Sequence, residues 1–284
     1  MQGLVIKVDG GLYTVESPVG VDICKARGVF RKRGIAPCTG DQVEFSDGCI
    51  TEVLPRRNYL IRPPLANLDQ MVFVLSVTQP APNLLLLDRF LAVCIYKEIA
   101  PLLVFTKLDL GDAAPFAASY EQAGFPVYYV DYDRPETVQT VYELLRGKTS
   151  AFTGNSGVGK STLLNAIDSN LQLETADISK KLGRGKHTTR VTSLYTLEHG
   201  GRVADTPGFS TFETDAYAQI APDELAECFP EMRGHLGKCR YADCRHMREP
   251  DCAVRNAVAE GAVSQSRYES YTAMMQEILN RKMY

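Results

Sequence analysis

The stretch Gly154-Asn155-Ser156-Gly157-Val158-Gly159-Lys160-Ser161 constrains this chain more than any other, because G-x-x-x-x-G-K-[ST] has meaning only between a strand and a helix. Both flanks fit: 150–153 reads as a buried strand, and a helical pattern begins at Lys160. Glycines at these positions let the backbone turn tightly, so that successive N–H groups point at phosphate oxygens while the helix N-terminus adds its dipole. Lys160 is then placed to reach the outer phosphates, and the Ser161 hydroxyl to ligate Mg²⁺, with Thr162 completing the loop.

A strand in that position needs parallel neighbours, and the preceding residues supply them. Apolar runs of strand length at 71–77, 102–106 and 127–130 alternate with helical patterns at 84–98, 113–123 and 137–145. This predicts an α/β, mostly parallel, doubly wound sheet, whose ligands sit at the carboxyl ends of the strands. Two further motifs fall at such ends. Thr106-Lys107-Leu108-Asp109 closes the 102–106 strand, where the Asp109 carboxylate can accept from the N1 and N2 groups of guanine while the lysine stem lies across the base. Asp205-Thr206-Pro207-Gly208 follows a short strand at 202–204, where Asp205 can hold Mg²⁺ through water and Gly208 can offer its N–H to a terminal phosphate.

The flanks of this central region differ from it. Residues 1–62 read as five short strands (3–8, 12–16, 19–26, 42–45, 49–54), with hairpin turns at Gly10-Gly11 and Asp47-Gly48, as in an OB-like β-barrel. The Arg62-Pro63-Pro64 stretch reads as a linker. Beyond about residue 212 helices are expected at 222–228, 253–260 and 264–282, surrounding Cys239, Cys244, His246 and Cys252. Three sulfurs and an imidazole form a recognised closed, structural Zn²⁺ set, although the spacing is unlike that of common fingers. Cys24, Cys38, Cys49 and Cys94 are isolated and read as small buried apolar side chains. The domain boundaries expected are therefore 1–64, 65–212 and 213–284.

Composition limits the partners. At 284 residues, 45% hydrophobic and 23% charged, the chain is an ordinary globular one, with no apolar run long enough to cross a membrane and no signal peptide at its start. A cytoplasmic location is expected. The net charge of −3 does not announce a nucleic-acid binder, yet basic residues cluster at 25–33, 56–62, 180–190 and 233–248, which points to segregated surfaces.

Together the three nucleotide motifs resemble those of the GTPase superfamily, but base recognition precedes the phosphate loop and the aspartate motif comes last. That order is that of the circularly permuted GTPases, and the whole chain resembles the small-ribosomal-subunit biogenesis GTPases of bacteria. The resemblance implies a multidomain fold of OB barrel, permuted GTPase sheet and small helical zinc-binding unit. It also implies hydrolysis of GTP to GDP stimulated by the small ribosomal subunit, contact with its rRNA, and a monomer. It places Gly183–Arg190 in the first switch, with Thr189 as a Mg²⁺ ligand and His187 as the candidate catalytic residue. Three departures stand out: Thr106 where Asn is usual, Phe209 where many GTPases place a water-orienting Gln, and Val130-Asp131-Tyr132 where a Ser-Ala-like base contact is expected. Two other readings share these residues: an RNA-binding protein that nucleotide merely stabilises, and a P-loop ATPase or small-molecule kinase.

Overall fold

The computed structural model describes residues 1–28, 30, 34–171, 193–198, 200–205 and 220–281, with the backbone alone at Asp205. Strands β1 (Gln2–Asp9), β2 (Leu12–Ser17), β3 (Gly20–Ala26), β4 (Gln42–Ser46) and β5 (Cys49–Val53) close into a barrel in the order β1-β2-β3-β5-β4. Alternation makes the barrel: Val5, Tyr13, Val15, Cys24, Val43, Phe45 and Ile50 point inward and pack with Phe30. Both expected turns are present, with Gly10, Gly11, Asp47 and Gly48 all at positive φ, the conformation that tight hairpins require. Cys24, Cys38 and Cys94 are buried as expected, whereas Cys49 is only half-buried because it opens β5 at the barrel rim.

The stretch expected to be a linker is instead the turn of a hairpin. β6 (Tyr59–Ile61) pairs with β7 (Pro64–Ala66), and Leu60, Leu65, Ala66 and Leu68 are buried between barrel and sheet. Prolines weaken a ladder, but a three-residue hairpin needs little ladder when its leucines are buried. Gly40, at φ +91°, passes so close that a Cβ there would lie 2.1 Å from the Ala66 carbonyl oxygen. The Asn58 amide both donates to and accepts from the Leu68 backbone, at 2.8 and 2.9 Å.

The central sheet has the order β10-β9-β8-β11-β13-β12, where β8 is Gln70–Ser76, β9 Ala100–Thr106, β10 Val127–Tyr129, β11 Thr149–Thr153, β12 Leu194–Thr196 and β13 Arg202–Asp205. All pairs are parallel except β12–β13. Every residue of β8 is buried, and its alternate side chains feed two cores: Met71, Phe73 and Leu75 one, Val72 and Val74 the other. Four helices, α1 (Leu84–Tyr96), α2 (Ala114–Gln122), α3 (Pro135–Leu145) and α4 (Lys160–Ile167), fill the connections. The barrel leans on the antiparallel edge, where Lys7 of β1 bridges Ser193 just before β12 and Glu16 pairs with Arg202 of β13.

The C-terminal part contains α5 (Ala253–Ala259) and α6 (Gln265–Arg281). The helix expected at 222–228 is reduced to a 3₁₀ turn at Ala226–Cys228, followed by another at Pro230–His235, because Pro230 ends the first. These turns and α6 share one continuous core with α1: Leu225, Phe229, Met232, Tyr271, Met274 and Ile278 pack into the same cluster as Leu87 and Leu91. A buried ion cluster reinforces the joint. Arg267 of α6 reaches Asp88 of α1 at 2.5 Å and Glu231 at 2.7 Å, all three at most 3% exposed, with its guanidinium 4.7 Å from the Phe229 ring centroid.

Candidate functional site

Because β8, β9, β11 and β13 run parallel, their carboxyl ends meet at one rim of the sheet, and the sequence motifs arrive there from separate places. The glycine-rich loop leaves β11 and enters α4 at Lys160. Gly154 has no alternative at its position: a Cβ would stand 2.4 Å from the Val74 carbonyl oxygen of β8. Gly157 and Gly159 take φ of +85° and +94°, which curl the loop around the start of the helix. Asn155, Lys160 and Ser161 are half-buried, Ser156 and Thr162 are exposed at the rim, and Val158 is buried beneath them. The loop thus presents backbone N–H groups, a lysine and a hydroxyl to one face, the arrangement that binds a polyphosphate with its cation.

Thr106, the first departure, is wholly buried and ties β9 to this loop. Its hydroxyl lies 2.6 Å from the Val158 carbonyl oxygen and 3.3 Å from that of Leu75, and its single proton serves the nearer. A shorter side chain than asparagine therefore still links base-recognition strand and phosphate loop. Lys107 has a left-handed backbone, with φ +58°, and its ammonium donates to the Gln79 carbonyl at 2.9 Å. That bond holds the lysine ammonium against the segment that follows β8. Leu108–Leu110 form a 3₁₀ turn that leaves Asp109 exposed and Leu108 half-buried. Asp205 ends β13 opposite Phe152 of β11, beside the start of the loop. His187, Thr189, Gly208 and Phe209 lie outside the described residues.

The third departure also comes to this rim. The Val130 N–H donates to the Phe105 carbonyl at 2.8 Å, so Val130 extends the β10–β9 pairing and a turn follows at 131–134. Asp131 is taken up by its own turn, accepting from the Asp133 N–H and from Arg134. Tyr132 instead reaches across the site: a Cβ on Gly159 would lie 3.7 Å from its hydroxyl and 3.6 Å from the Thr106 hydroxyl. Sequence spacing gives no signal for this approach, since it depends on how β10 and the phosphate loop are placed by the sheet.

A second site lies in the C-terminal part. The ligand atoms of Cys239, Cys244, His246 and Cys252 all fall within 4.8 Å of one another. His246 Nδ1 is 3.4 Å from both Cys239 Sγ and Cys252 Sγ, and those sulfurs are 3.8 Å apart. A tetrahedral ion with Zn–S bonds of about 2.3 Å has S···S edges of about 3.8 Å, so the residues fit that ion. The loop carrying them is set by Glu249, whose carboxylate accepts from the N–H groups of Arg245, Met247 and Arg248. Burial pushes Glu249 up, but these bonds outweigh it and hold the acid below its usual range. His246 sits at φ +58°, with its carbonyl taken by the Tyr268 hydroxyl at 2.7 Å. Burial lowers the His246 pKa and keeps the imidazole neutral, as a ligand must be, and it pushes the Cys244 thiol up to about 12.

Residues 53–215 match the RsgA GTPase family, and residues 2–50 match the RsgA N-terminal domain. Among curated relatives, the small ribosomal subunit biogenesis GTPase RsgA of Bacillus cereus is 40% identical over 292 residues, covering 99% of this chain and 98% of that protein. The protein of that name from Streptococcus pyogenes is 43% identical over 287 residues, covering 99% of this chain and 97% of the relative. Two solved structures are similar throughout. YjeQ from Thermotoga maritima gives a TM-score of 0.80 at 34% identity, over 98% of each chain. YloQ, described as a circularly permuted GTPase, gives 0.77 at 35% identity, over 99% of this chain and 95% of that one. With a family model matched over more than half of the chain and relatives of 40% and 43% identity along almost all of it, the chain belongs to the RsgA GTPase family.

Proposed function

We propose that this protein hydrolyses GTP to GDP and phosphate while assisting late maturation of the small ribosomal subunit, and that the subunit stimulates the reaction. The observation that carries the reading is the convergence of the phosphate loop and the Thr106–Asp109 turn at one rim, joined by the 2.6 Å bond from Thr106 to Val158. That bond belongs to a single site for base and phosphates, and a kinase or ATPase has no use for Asp109 there.

In this reading Gly154, Asn155, Ser156, Gly157, Val158 and Gly159 supply backbone donors to the phosphates, Lys160 supplies charge, and Thr162 lies at the helix start. Ser161, Thr189 and Asp205 would hold Mg²⁺, which would supply positive charge against the phosphate oxygens. Gly208 offers its N–H to the terminal phosphate, and Thr106, Lys107, Leu108 and Asp109 form the guanine site. His187 takes the water-orienting place that Phe209 cannot fill. Cys239, Cys244, His246 and Cys252 bind one structural Zn²⁺, and the barrel and zinc-bound part contact rRNA through their basic clusters. The protein works in the cytoplasm as a monomer, with domains at 1–64, 65–212 and 213–284.

Phosphate release from GTP, measured with purified small subunits, large subunits or neither, tests this directly. Small subunits alone should raise the rate several-fold, and excess ATP should not compete. His187→Ala should abolish the stimulated rate while leaving GDP affinity intact. Stimulation by large subunits instead would refute the partner, and equal competition by ATP would refute the base assignment.

A further inference from the structure

An extended strand left unpaired on one side is a template for another chain, and natural sheets blunt such edges with lysine, proline or bulges. The start of β3 does the reverse. β2 runs along it from Gly20 to Lys25, but β5 joins its other side only at Lys25 and Ala26. The Lys25 N–H donates to the Gly48 carbonyl at 2.9 Å, and backbone direction alternates along a strand, so Val21 and Ile23 turn their polar groups the same way. The Ile23 carbonyl looks toward Gly48, where a Cβ would lie 3.7 Å from it. The Ile23 N–H and both backbone groups of Val21 meet no strand among the described residues. The side chains match this edge. Val19, Val21 and Ile23 are 75%, 60% and 68% exposed, three of the four most exposed large apolar side chains among the described residues. Asp22, between the last two and on the opposite face, is also exposed and makes no ion pair with another described residue.

We propose that Gly20–Cys24 of the barrel receives an extended segment of a partner protein as an added strand, with the pattern aliphatic–basic–aliphatic. Backbone N–H and C=O groups at strand spacing are met by another backbone, and aliphatic side chains on that strand cover Val21 and Ile23. The residue between them falls across from Asp22, where a lysine or arginine makes a cross-strand ion pair. The Asp47–Gly48 turn and β5 close the edge at Lys25, so the added strand is about four residues, or about 13 Å, long. Single-stranded nucleic acid fits poorly, because it needs stacking aromatics in a cationic groove and this edge offers aliphatics and a carboxylate. A second copy of the chain also fits poorly. Antiparallel self-pairing with Val21 opposite Ile23 sets Asp22 against Asp22, and the register with Val21 opposite Val21 gives Asp22 only Gly20. The basic cluster at 25–33 begins where this edge ends, so the barrel keeps its cationic surface apart from its apolar one.

Capped peptides titrated to millimolar concentration into the isotope-labelled full chain test this, with amide hydrogen exchange read residue by residue. Thr-Val-Lys-Val-Thr should slow exchange several-fold at the Val21 and Ile23 amides and leave those of Asp22 and Cys24, which face β2, unchanged. Thr-Val-Asp-Val-Thr should bind about threefold more weakly, or worse, because its carboxylate meets Asp22. Ile23→Pro removes an outward N–H without touching the β2 ladder and should abolish the protection. Val21→Lys, a change that an exposed edge tolerates, should abolish it as well and stands in if the proline variant does not fold. No protection by either peptide, equal binding of the lysine and aspartate peptides, or binding retained in Val21→Lys would overturn the proposal. So would protection of the same amides by a uridine oligonucleotide and not by peptide, which assigns the edge to nucleic acid. Protection that grows with protein concentration alone would assign it to a second copy and overturn the proposal too.

Discussion

At the scale of single residues, two buried polar groups carry consequences larger than their size. Thr106 gives its hydroxyl proton to the Val158 carbonyl inside a dry contact between β9 and the phosphate loop. Thr106→Val keeps the volume and leaves that carbonyl without its bond, which should destabilise the protein by about 1–2 kcal/mol and weaken GDP binding as well. Urea unfolding with and without GDP checks both parts. Arg267 is a harsher case. Removing it strands Asp88 and Glu231 in the core, so Arg267→Ala should cost about 3–5 kcal/mol, and Arg267→Lys should not restore the loss, because an ammonium cannot serve two carboxylates and stack on Phe229 in one geometry. Thermal unfolding of the two variants decides it. None of this could be read in advance. Asp88, Glu231 and Arg267 are far apart in sequence and each looks like an ordinary surface charge, and Tyr132 comes to Gly159 only because the sheet puts β10 beside β9. The phosphate loop was legible because its spacing is itself the structure: each glycine marks a turn or a close approach.

At the scale of elements, periodicity decides what the sequence reveals. The barrel strands and the central β8 run were legible from their alternation and continuous burial respectively. The β6–β7 hairpin was not, because three-residue strands flanking two prolines have no period to read. Metal binding by the Cys/His loop should have a pH dependence with a definite sign. Burial raises the Cys244 thiol to about 12 and also raises Cys252, so protons compete with metal for the sulfurs. Metal retained against a chelator should therefore fall as pH drops from about 8 to about 6, with protons taken up by the sulfurs as the ion leaves, the reverse of binding. His246→Ala should lose the ion at every pH and lower the melting temperature of the C-terminal part; metal analysis of the purified variant, beside its melting curve, gives the answer.

At the scale of the whole molecule, the permuted order has a mechanical meaning. The chain passes from β13 at Asp205 toward the C-terminal part, and that part is welded to α1 by a shared core and the Arg267 cluster. α1 in turn follows β8, whose Val74 carbonyl abuts Gly154 of the phosphate loop. The phosphate loop and the Cys/His end are thus linked through packed elements of the sheet and α1. The barrel meets the opposite end of the sheet through the Lys7–Ser193 bridge and the Glu16–Arg202 pair. This contact lies beside β12, which among the described residues is the one antiparallel strand of the sheet and one of its two borders. A border strand with bare amides is a template for joining other chains. The barrel therefore doubles as a shield against self-association: a version lacking residues 1–53 should fold its sheet yet elute as larger species than the full chain does in size-exclusion chromatography.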